Sequence, residues 1–317
     1  MNAKLHGLVA ATHTPFDAEG RLDPTVVEKQ AEHLLRAGVT TVFIGGSTGE
    51  SHSLTVAERL ALAERWAAVG KGSPLKIVVH VGANCLADAR TLAGQAQGLG
   101  AAAIAALAPS YFKPPTIDAL IECCRSVAAA APAVPFYLYD IPALTGLHFS
   151  MPDFLDAAAD RIPTLAGIKF SNPDLMAYQR CLRSGGGRFD VPWGIDEYLL
   201  AALALGGRGA VGSTYNFAAP IFLRMIRAFE EGDLAAARLE QFRAVRLIGI
   251  LCEFGYMAAA KAVMGMLGVP VGPPRLPNAA LAPGRHEKLE DGLARIGFFD
   301  WIRPDLPPDP VPSTGLA

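Results

Sequence analysis

The feature that most constrains the fold of this chain is a regular alternation of short apolar runs with helix-like segments. Runs that are continuously apolar and bounded by Gly, Pro or Asp have the composition of buried strands. Such strands, alternating with helices, imply a parallel sheet covered by helices. Eight of them predict an α/β fold of the (β/α)8 TIM-barrel type. The eight runs cover residues 8–16, 39–45, 75–82, 102–109, 134–141, 165–171, 191–195 and 209–213.

Helix-start signals follow the first two runs. Asp23 and Pro24 form an N-cap followed by a proline at the first helical position, and Thr55 with Glu58 forms a capping box. A doubly wound open sheet is the rival architecture. It would need a glycine-rich phosphate turn after the first strand, where this chain has residues 12–15, Thr-His-Thr-Pro. This difference favours the barrel.

The C-terminal third contains more helical sequence than a final barrel unit needs. Residues 220–232, 234–255 and 256–267 are each predicted to be helical. We therefore expect a barrel core through the eighth strand in residues 1–220. The last barrel helix and a C-terminal helical extension would occupy 221–300, and a proline-rich tail 301–317.

Composition excludes several classes of protein. The 317 residues are 51% hydrophobic and 18% charged with a formal net charge of −2, which is typical of a soluble globular protein without a nucleic-acid partner. Five cysteines without a C-x-x-C pair indicate neither a disulfide framework nor a zinc site. No signal-peptide pattern and no apolar stretch of membrane-spanning length occur. We expect a cytoplasmic protein with reduced thiols and no membrane partner.

Lys169 is the residue with the clearest chemical meaning, because it lies in the apolar run 165–171. A buried lysine is costly unless it is neutralised, paired or used. Desolvation favours the free amine that attacks a ketone to form a Schiff base. The alternative is a lysine at a strand end that extends to water. Tyr139 precedes Lys169 by 30 positions and lies near the end of the fifth run, so the barrel would bring the two side chains near one substrate.

Three further loops present polar groups at the same predicted edge. The turn 45–50, Gly-Gly-Ser-Thr-Gly-Glu, offers backbone N–H groups and two hydroxyls to an anion, although it is equally compatible with a plain strand-to-helix turn. Residues 194–197 and 212–216 add acidic and hydroxyl side chains. Asp196 and Glu197 could equally cap the following helix.

Taken together, these motifs resemble the N-acetylneuraminate lyase branch of the dihydrodipicolinate synthase superfamily of class I aldolases. The resemblance implies a barrel with a C-terminal helical extension, a homotetramer, and Schiff-base chemistry on a small-molecule substrate with no metal or organic cofactor. It extends over residues 7–277 and rests on the segments 45–50, 139–146, 167–169, 194–197, 212–216 and 272–277.

The resemblance assigns a role to each matching residue. It makes Lys169 the Schiff-base lysine and Tyr139 the phenol that transfers the proton of the cleaved carbinol. Tyr111 matches a tyrosine that some members insert across a subunit interface. Ser47 and Thr48 would bind the carboxylate of the α-keto acid, and the residues expected to contact the hydroxylated sugar tail are Ser171, Gly194, Asp196, Glu197 and Ser213.

Two positions separate this chain from other members. Leu144 stands where dihydrodipicolinate synthases have an arginine for a second carboxylate, and Asp140 stands where asparagine or histidine is common. We therefore predict reversible cleavage of N-acetylneuraminate to N-acetylmannosamine and pyruvate. The alternatives are a related pyruvate-dependent aldolase or dehydratase for another 2-keto-3-deoxy sugar acid, or a catalytically silent ligand-binding barrel.

Overall fold

Seven parallel strands surround the centre of the molecule. The computed structural model describes residues 4–303. Its strands are β1 (Gly7–Ala11), β2 (Thr41–Ile44), β3 (Lys76–His80), β4 (Ala103–Leu107), β5 (Phe136–Asp140), β6 (Leu165–Phe170) and β7 (Gly209–Gly212). They pair in the order β6-β5-β4-β3-β2-β1-β7, and every pairing is parallel.

Residues 190–193 close the gap between β6 and β7. The Ile168 N–H donates to the Asp190 carbonyl at 3.0 Å, and the Val211 N–H donates to the Trp193 carbonyl at 2.7 Å. The segment thus bonds to strands on both sides, as an eighth barrel strand would. This arrangement confirms the predicted (β/α)8 barrel and excludes the doubly wound sheet.

The prediction of a regular seventh strand over residues 191–195 is wrong. The segment makes isolated bridges only, through Asp190 and Trp193. Pro192 lies between them and has no N–H to donate, so the ladder cannot continue through it.

Helices cover the outside of the barrel. The predicted capping box at Thr55 and Glu58 is present, and Asp23 caps the short helical turn before the first helix. The helices are α1 (Val27–Arg36), α2 (Val56–Gly70), α3 (Leu86–Gly98), α4 (Ile117–Ala128), α5 (Pro142–Thr145), α6 (Met151–Ala158), α7 (Leu175–Arg183), α8 (Leu199–Ala204), α9 (Tyr215–Glu230), α10 (Leu234–Glu253), α11 (Tyr256–Met266), α12 (Arg285–Ile296) and α13 (Phe298–Trp301).

The helices after the barrel pack against one another and against its side. Helix α10 packs on α9, α11 and α12. Helix α9 begins at Tyr215 rather than at the predicted residue 220, with a break at Ala218. Residues 304–317 of the predicted proline-rich tail lie outside the described residues, and the proposed division at 220 and 300 stays a prediction.

The core has two layers. Side chains on alternate strand positions, such as Val9, Val78 and Tyr137, fill the barrel interior, while a larger apolar layer lies between strands and helices. Within residues 4–303, no single helix is long and apolar enough to cross a membrane. Helices α10 and α11 would pass that test only as a pair, and they are bent by 112° relative to each other.

Candidate active site

A cavity of about 400 Å³ opens at the C-terminal ends of the barrel strands, where (β/α)8 enzymes place their reactive groups. Clefts of about 530 and 720 Å³ lie elsewhere, but neither includes a residue predicted for the site. The predicted residues that line the cavity are Ser47, Thr48, Tyr139, Lys169, Ser171, Gly194, Asp196, Glu197 and Ser213.

Lys169 lies in the barrel interior beside Tyr139. Strands β5 and β6 pair with these two residues opposite each other, so both side chains point to the same face. Lys169 is 4% exposed, and its Nζ lies 3.9 Å from the centre of the Tyr139 ring and 4.2 Å from that of Phe43. Within residues 4–303, no carboxylate is within salt-bridge distance of this nitrogen. The two aromatic rings restrict the position of the Lys169 nitrogen, and they leave it available to react, as a paired carboxylate would not.

The Tyr139 phenol lies between the lysine and the turn after β2. Its hydroxyl is 3.3 Å from the Ser47 Oγ. Its ring makes edge contacts with Phe43 and His80, at centroid distances of 5.8 and 5.9 Å. These contacts fix the ring plane and leave the hydroxyl at the cavity wall.

His80 supports the turn from inside the barrel. Burial is the main cause that lowers the pKa of His80 well below its ordinary value, so the ring is neutral. The Nδ1 position lies 2.8 Å from the Gly45 carbonyl, and Nε2 accepts from the Leu107 N–H at 3.3 Å, which assigns the proton to Nδ1. Gly45 has a φ of 62°, a left-handed conformation that glycine adopts without strain.

The turn has the unpaired donors that an anion needs. Among the described residues, no acceptor is paired with the backbone N–H of Ser47 or Thr48, and both residues line the cavity. Two hydroxyls and two free N–H groups at one place form an anion site of the kind that short backbone turns provide.

The opposite wall of the cavity centres on Asp196. Its Oδ2 accepts from the Thr214 N–H at 2.9 Å and from the Thr214 hydroxyl at 2.5 Å. Burial raises the pKa of Asp196, and the Thr214 hydrogen bonds oppose that change. Gly212 lies against this carboxylate, where a Cβ would overlap it. The glycine therefore allows the close approach of β7 to Asp196.

Glu197 and Ser171 add further polar atoms to this wall. Glu197 is half-buried, and burial followed by its neighbour Asp196 raises its pKa. The buried Ser171 Oγ has no hydrogen-bond partner within the described part of the chain. Gly194 leaves room for it, because a Cβ there would overlap that oxygen. A buried hydroxyl without a partner at a cavity wall is suited to a polar ligand.

Tyr111 is the predicted site residue that the fold does not bring to the cavity. It is 78% exposed on the loop after β4, where its ring packs on Phe112 with centroids 4.9 Å apart. Leu144 is 65% exposed and does not line the cavity either. Within the single chain, neither residue is part of the cavity wall.

A metal centre has no support in the described residues 4–303. No group of three or more His, Cys, Asp or Glu side chains is arranged there to bind a metal ion. The five cysteines are free thiols.

Comparison with known proteins agrees with this geometry. Residues 4–296 match the model of the dihydrodipicolinate synthetase family. The chain belongs to this family. It is 44% identical to the N-acetylneuraminate lyase of Rattus norvegicus over 302 residues, which is 94% of each chain.

Solved structures of the family have the same barrel. The Proteus mirabilis N-acetylneuraminate lyase matches with a TM-score of 0.91 and 40% identity, covering 93% of this chain and 100% of that one. A dihydrodipicolinate synthase from Bacillus anthracis matches with a TM-score of 0.85 and 26% identity, covering 92% and 98%. Because both kinds of enzyme share the fold, site residues must distinguish them.

Several residues of this family member's site were missed by sequence reasoning. Tyr256 begins α11, lines the cavity, and pairs with the Ser213 hydroxyl at 2.7 Å and the Thr214 hydroxyl at 3.2 Å. Cys252 and Ile248 reach the cavity from α10. The sequence indicates only that these residues are helical. Nothing in it places α10 and α11 over the barrel mouth.

Proposed function

We propose that this protein is a class I aldolase that reversibly cleaves N-acetylneuraminate to N-acetylmannosamine and pyruvate. The observation that supports it most is the pairing of buried Lys169 with Tyr139 in one cavity, between the turn 45–50 and the Asp196 wall. The relatives that are 44% and 40% identical to this chain are both named N-acetylneuraminate lyase, which points to the same reaction.

Lys169 is the proposed nucleophile. Its free amine attacks the keto carbon, water leaves, and a protonated imine forms. Loss of the proton from the carbinol hydroxyl turns that carbon into an aldehyde. The electron pair of the broken carbon–carbon bond moves into the imine and leaves an enamine. Protonation of the enamine carbon and hydrolysis then release pyruvate and regenerate the amine.

Tyr139 is the proposed proton-transfer group. A phenol has an ordinary pKa near 10, so it works as a base only if nearby groups stabilise its anion. The cationic imine at Lys169 and the Ser47 hydroxyl, 3.3 Å from the phenol, are positioned to do so.

The remaining roles divide the substrate between two walls. Ser47 and Thr48 bind the carboxylate of the keto acid through hydroxyl and N–H groups, which sets the ketone for attack. The opposite wall binds the hydroxylated sugar tail and provides binding energy away from the reacting carbon. The residues proposed for this second role are Ser171, Gly194, Asp196, Glu197 and Ser213.

The acidic wall favours a neutral polyol over an acidic aldehyde. Asp196 and Glu197 line the cavity and would repel a second carboxylate. Leu144 stands where dihydrodipicolinate synthases have an arginine to bind one. We further propose a cytoplasmic homotetramer in which Tyr111, exposed in the single chain, lies at a subunit interface. The proposed chemistry uses no metal or organic cofactor.

A substrate panel tests the proposal. Pyruvate release would be measured with N-acetylneuraminate, with shorter 2-keto-3-deoxy sugar acids and with the aldol product of pyruvate and aspartate semialdehyde. N-acetylneuraminate should have the highest kcat/KM of these substrates. Asp196→Ala and Glu197→Ala should each lower kcat/KM for N-acetylneuraminate, with a loss of transition-state stabilisation of about 1 to 3 kcal/mol. Formation of the imine with pyruvate should change little. Preference for another sugar acid would refute the lyase assignment but keep the aldolase. No turnover and no pyruvate imine would indicate a silent barrel.

A further inference from the structure

Glu50 ends the turn that contains Ser47 and Thr48, and its backbone conformation needs an explanation. Among the described residues it is the one non-glycine residue with positive φ, at 54°. This left-handed region is disfavoured for residues with a Cβ. Glu50 does not line the cavity, and its carboxylate is fully buried. A buried carboxylate requires a partner.

That partner is Lys261, on α11. Its Nζ lies 3.0 Å from the Glu50 Oε1, and both side chains are at most 1% exposed. The same nitrogen donates to the carbonyls of Thr14 and Pro273, each at 3.0 Å, so its three hydrogens are all used. Burial lowers the pKa of Lys261 to about 8, and the Glu50 charge opposes that change.

The second carboxylate oxygen of Glu50 connects the turn to the C-terminal segment 272–278. Oε2 accepts from the Arg275 backbone N–H at 2.8 Å. Within the turn, the Glu50 N–H donates to the Ser47 carbonyl at 3.0 Å. A displacement of Glu50 is therefore transmitted directly to Ser47, whose hydroxyl faces Tyr139.

We propose that Glu50 and Lys261 are positioning residues that hold the turn so that Ser47 and Thr48 capture the carboxylate of pyruvate. The inference rests on the proposed function and adds two residues that do not touch substrate. Its specific consequence is a selective defect. Loss of the pair impairs recognition of the carboxylate and leaves the intrinsic reactivity of the Lys169 amine unchanged.

Two ketones separate these effects. Borohydride trapping on the full chain would be titrated with pyruvate and, separately, with hydroxyacetone, which is a ketone without a carboxylate. For Glu50→Gln we expect the pyruvate concentration at half-maximal labelling to rise about tenfold, while the hydroxyacetone curve and the maximal labelling stay within about twofold of the unmodified protein.

Glu240→Gln is the matched control. Glu240 is also a buried carboxylate in an ion pair, 2.9 Å from Arg224 between α9 and α10, and it does not contact the turn. This variant should lose stability without changing either labelling curve. It measures what the loss of any buried ion pair does to the barrel.

The double variant Glu50→Gln/Lys261→Met separates folding from positioning. Replacing both members removes the uncompensated buried charge that a single substitution leaves, so melting temperature should recover toward that of the unmodified protein. The weak pyruvate labelling should not recover. This comparison remains informative if Glu50→Gln alone fails to fold.

Three results would overturn the inference: equal weakening of both ketones in Glu50→Gln, the same pyruvate shift in Glu240→Gln, or full recovery of pyruvate labelling in the double variant. Absence of the pyruvate chemistry on which the inference rests looks different. In that case the unmodified protein itself forms no pyruvate adduct, and the inference fails with it. Preference for another sugar acid would leave the inference intact.

Discussion

Replacing Tyr139 with phenylalanine tests the division between imine formation and proton transfer. The substitution keeps the ring and its edge contacts with Phe43 and His80, and it deletes one hydroxyl that makes a 3.3 Å contact with Ser47. The free energy of unfolding should therefore change by less than about 1 kcal/mol. Loss of an acid/base group costs about 10²-fold or more in kcat, equivalent to about 2.7 kcal/mol of activation free energy.

Tyr137→Phe is the matched control for that experiment. Tyr137 lies two residues earlier on β5, also faces the barrel interior, and donates to Asp190 at 2.8 Å. Its loss should cost about 1 to 2 kcal/mol of stability and leave kcat nearly unchanged. Steady-state pyruvate release, borohydride labelling and urea unfolding would be measured for both variants. A Tyr139→Phe enzyme with nearly native kcat, or one that also loses the pyruvate adduct, would refute the proton-transfer role.

Two more predictions follow from close packing and from burial. Gly212→Ala should lower the free energy of unfolding and the transition-state stabilisation measured by kcat/KM, by about 1 to 3 kcal/mol each, because its Cβ would displace the Asp196 carboxylate. Native values in melting and kinetic assays would contradict this. Burial raises the pKa of Asp140 from 3.8 to about 6, so the native state retains a proton that the unfolded chain loses, and stability falls as pH rises through that range. In urea unfolding, Asp140→Asn should then be more stable than the native protein by about 2 to 3 kcal/mol at about pH 7.5 and by much less near pH 4.5. A difference in stability between the two proteins that does not depend on pH would rule out this cause.

The barrel could be predicted from the sequence because each strand and helix signal is local. The apolar run around Lys169 and the capping box at Thr55 both depend on neighbouring residues, and both appear where expected. The segment after residue 190 was harder to predict. Its hydrophobicity is that of a strand, but Pro192 breaks the ladder, and only the pairing with β6 and β7 reveals its role.

The residues that line the cavity also differ in whether local sequence or long-range packing places them there. Residues at strand ends were predictable, because the barrel topology alone brings β5, β6 and the turn after β2 to one mouth. Tyr256 and Lys261 were not, since they lie on a helix whose position depends on long-range packing of α10 and α11. Tyr111 was predicted from the family resemblance alone, and in the single chain it is exposed and lies outside the cavity.

The most direct test of the central claim is to identify the lysine that reacts with pyruvate. The unmodified protein would be incubated with pyruvate and borohydride, digested, and mapped by mass spectrometry. The account predicts a reduced pyruvyl adduct on Lys169 alone, with adduct and turnover both lost in Lys169→Ala. An adduct on Lys76, Lys113 or Lys261, or catalysis that survives Lys169→Ala, would contradict it.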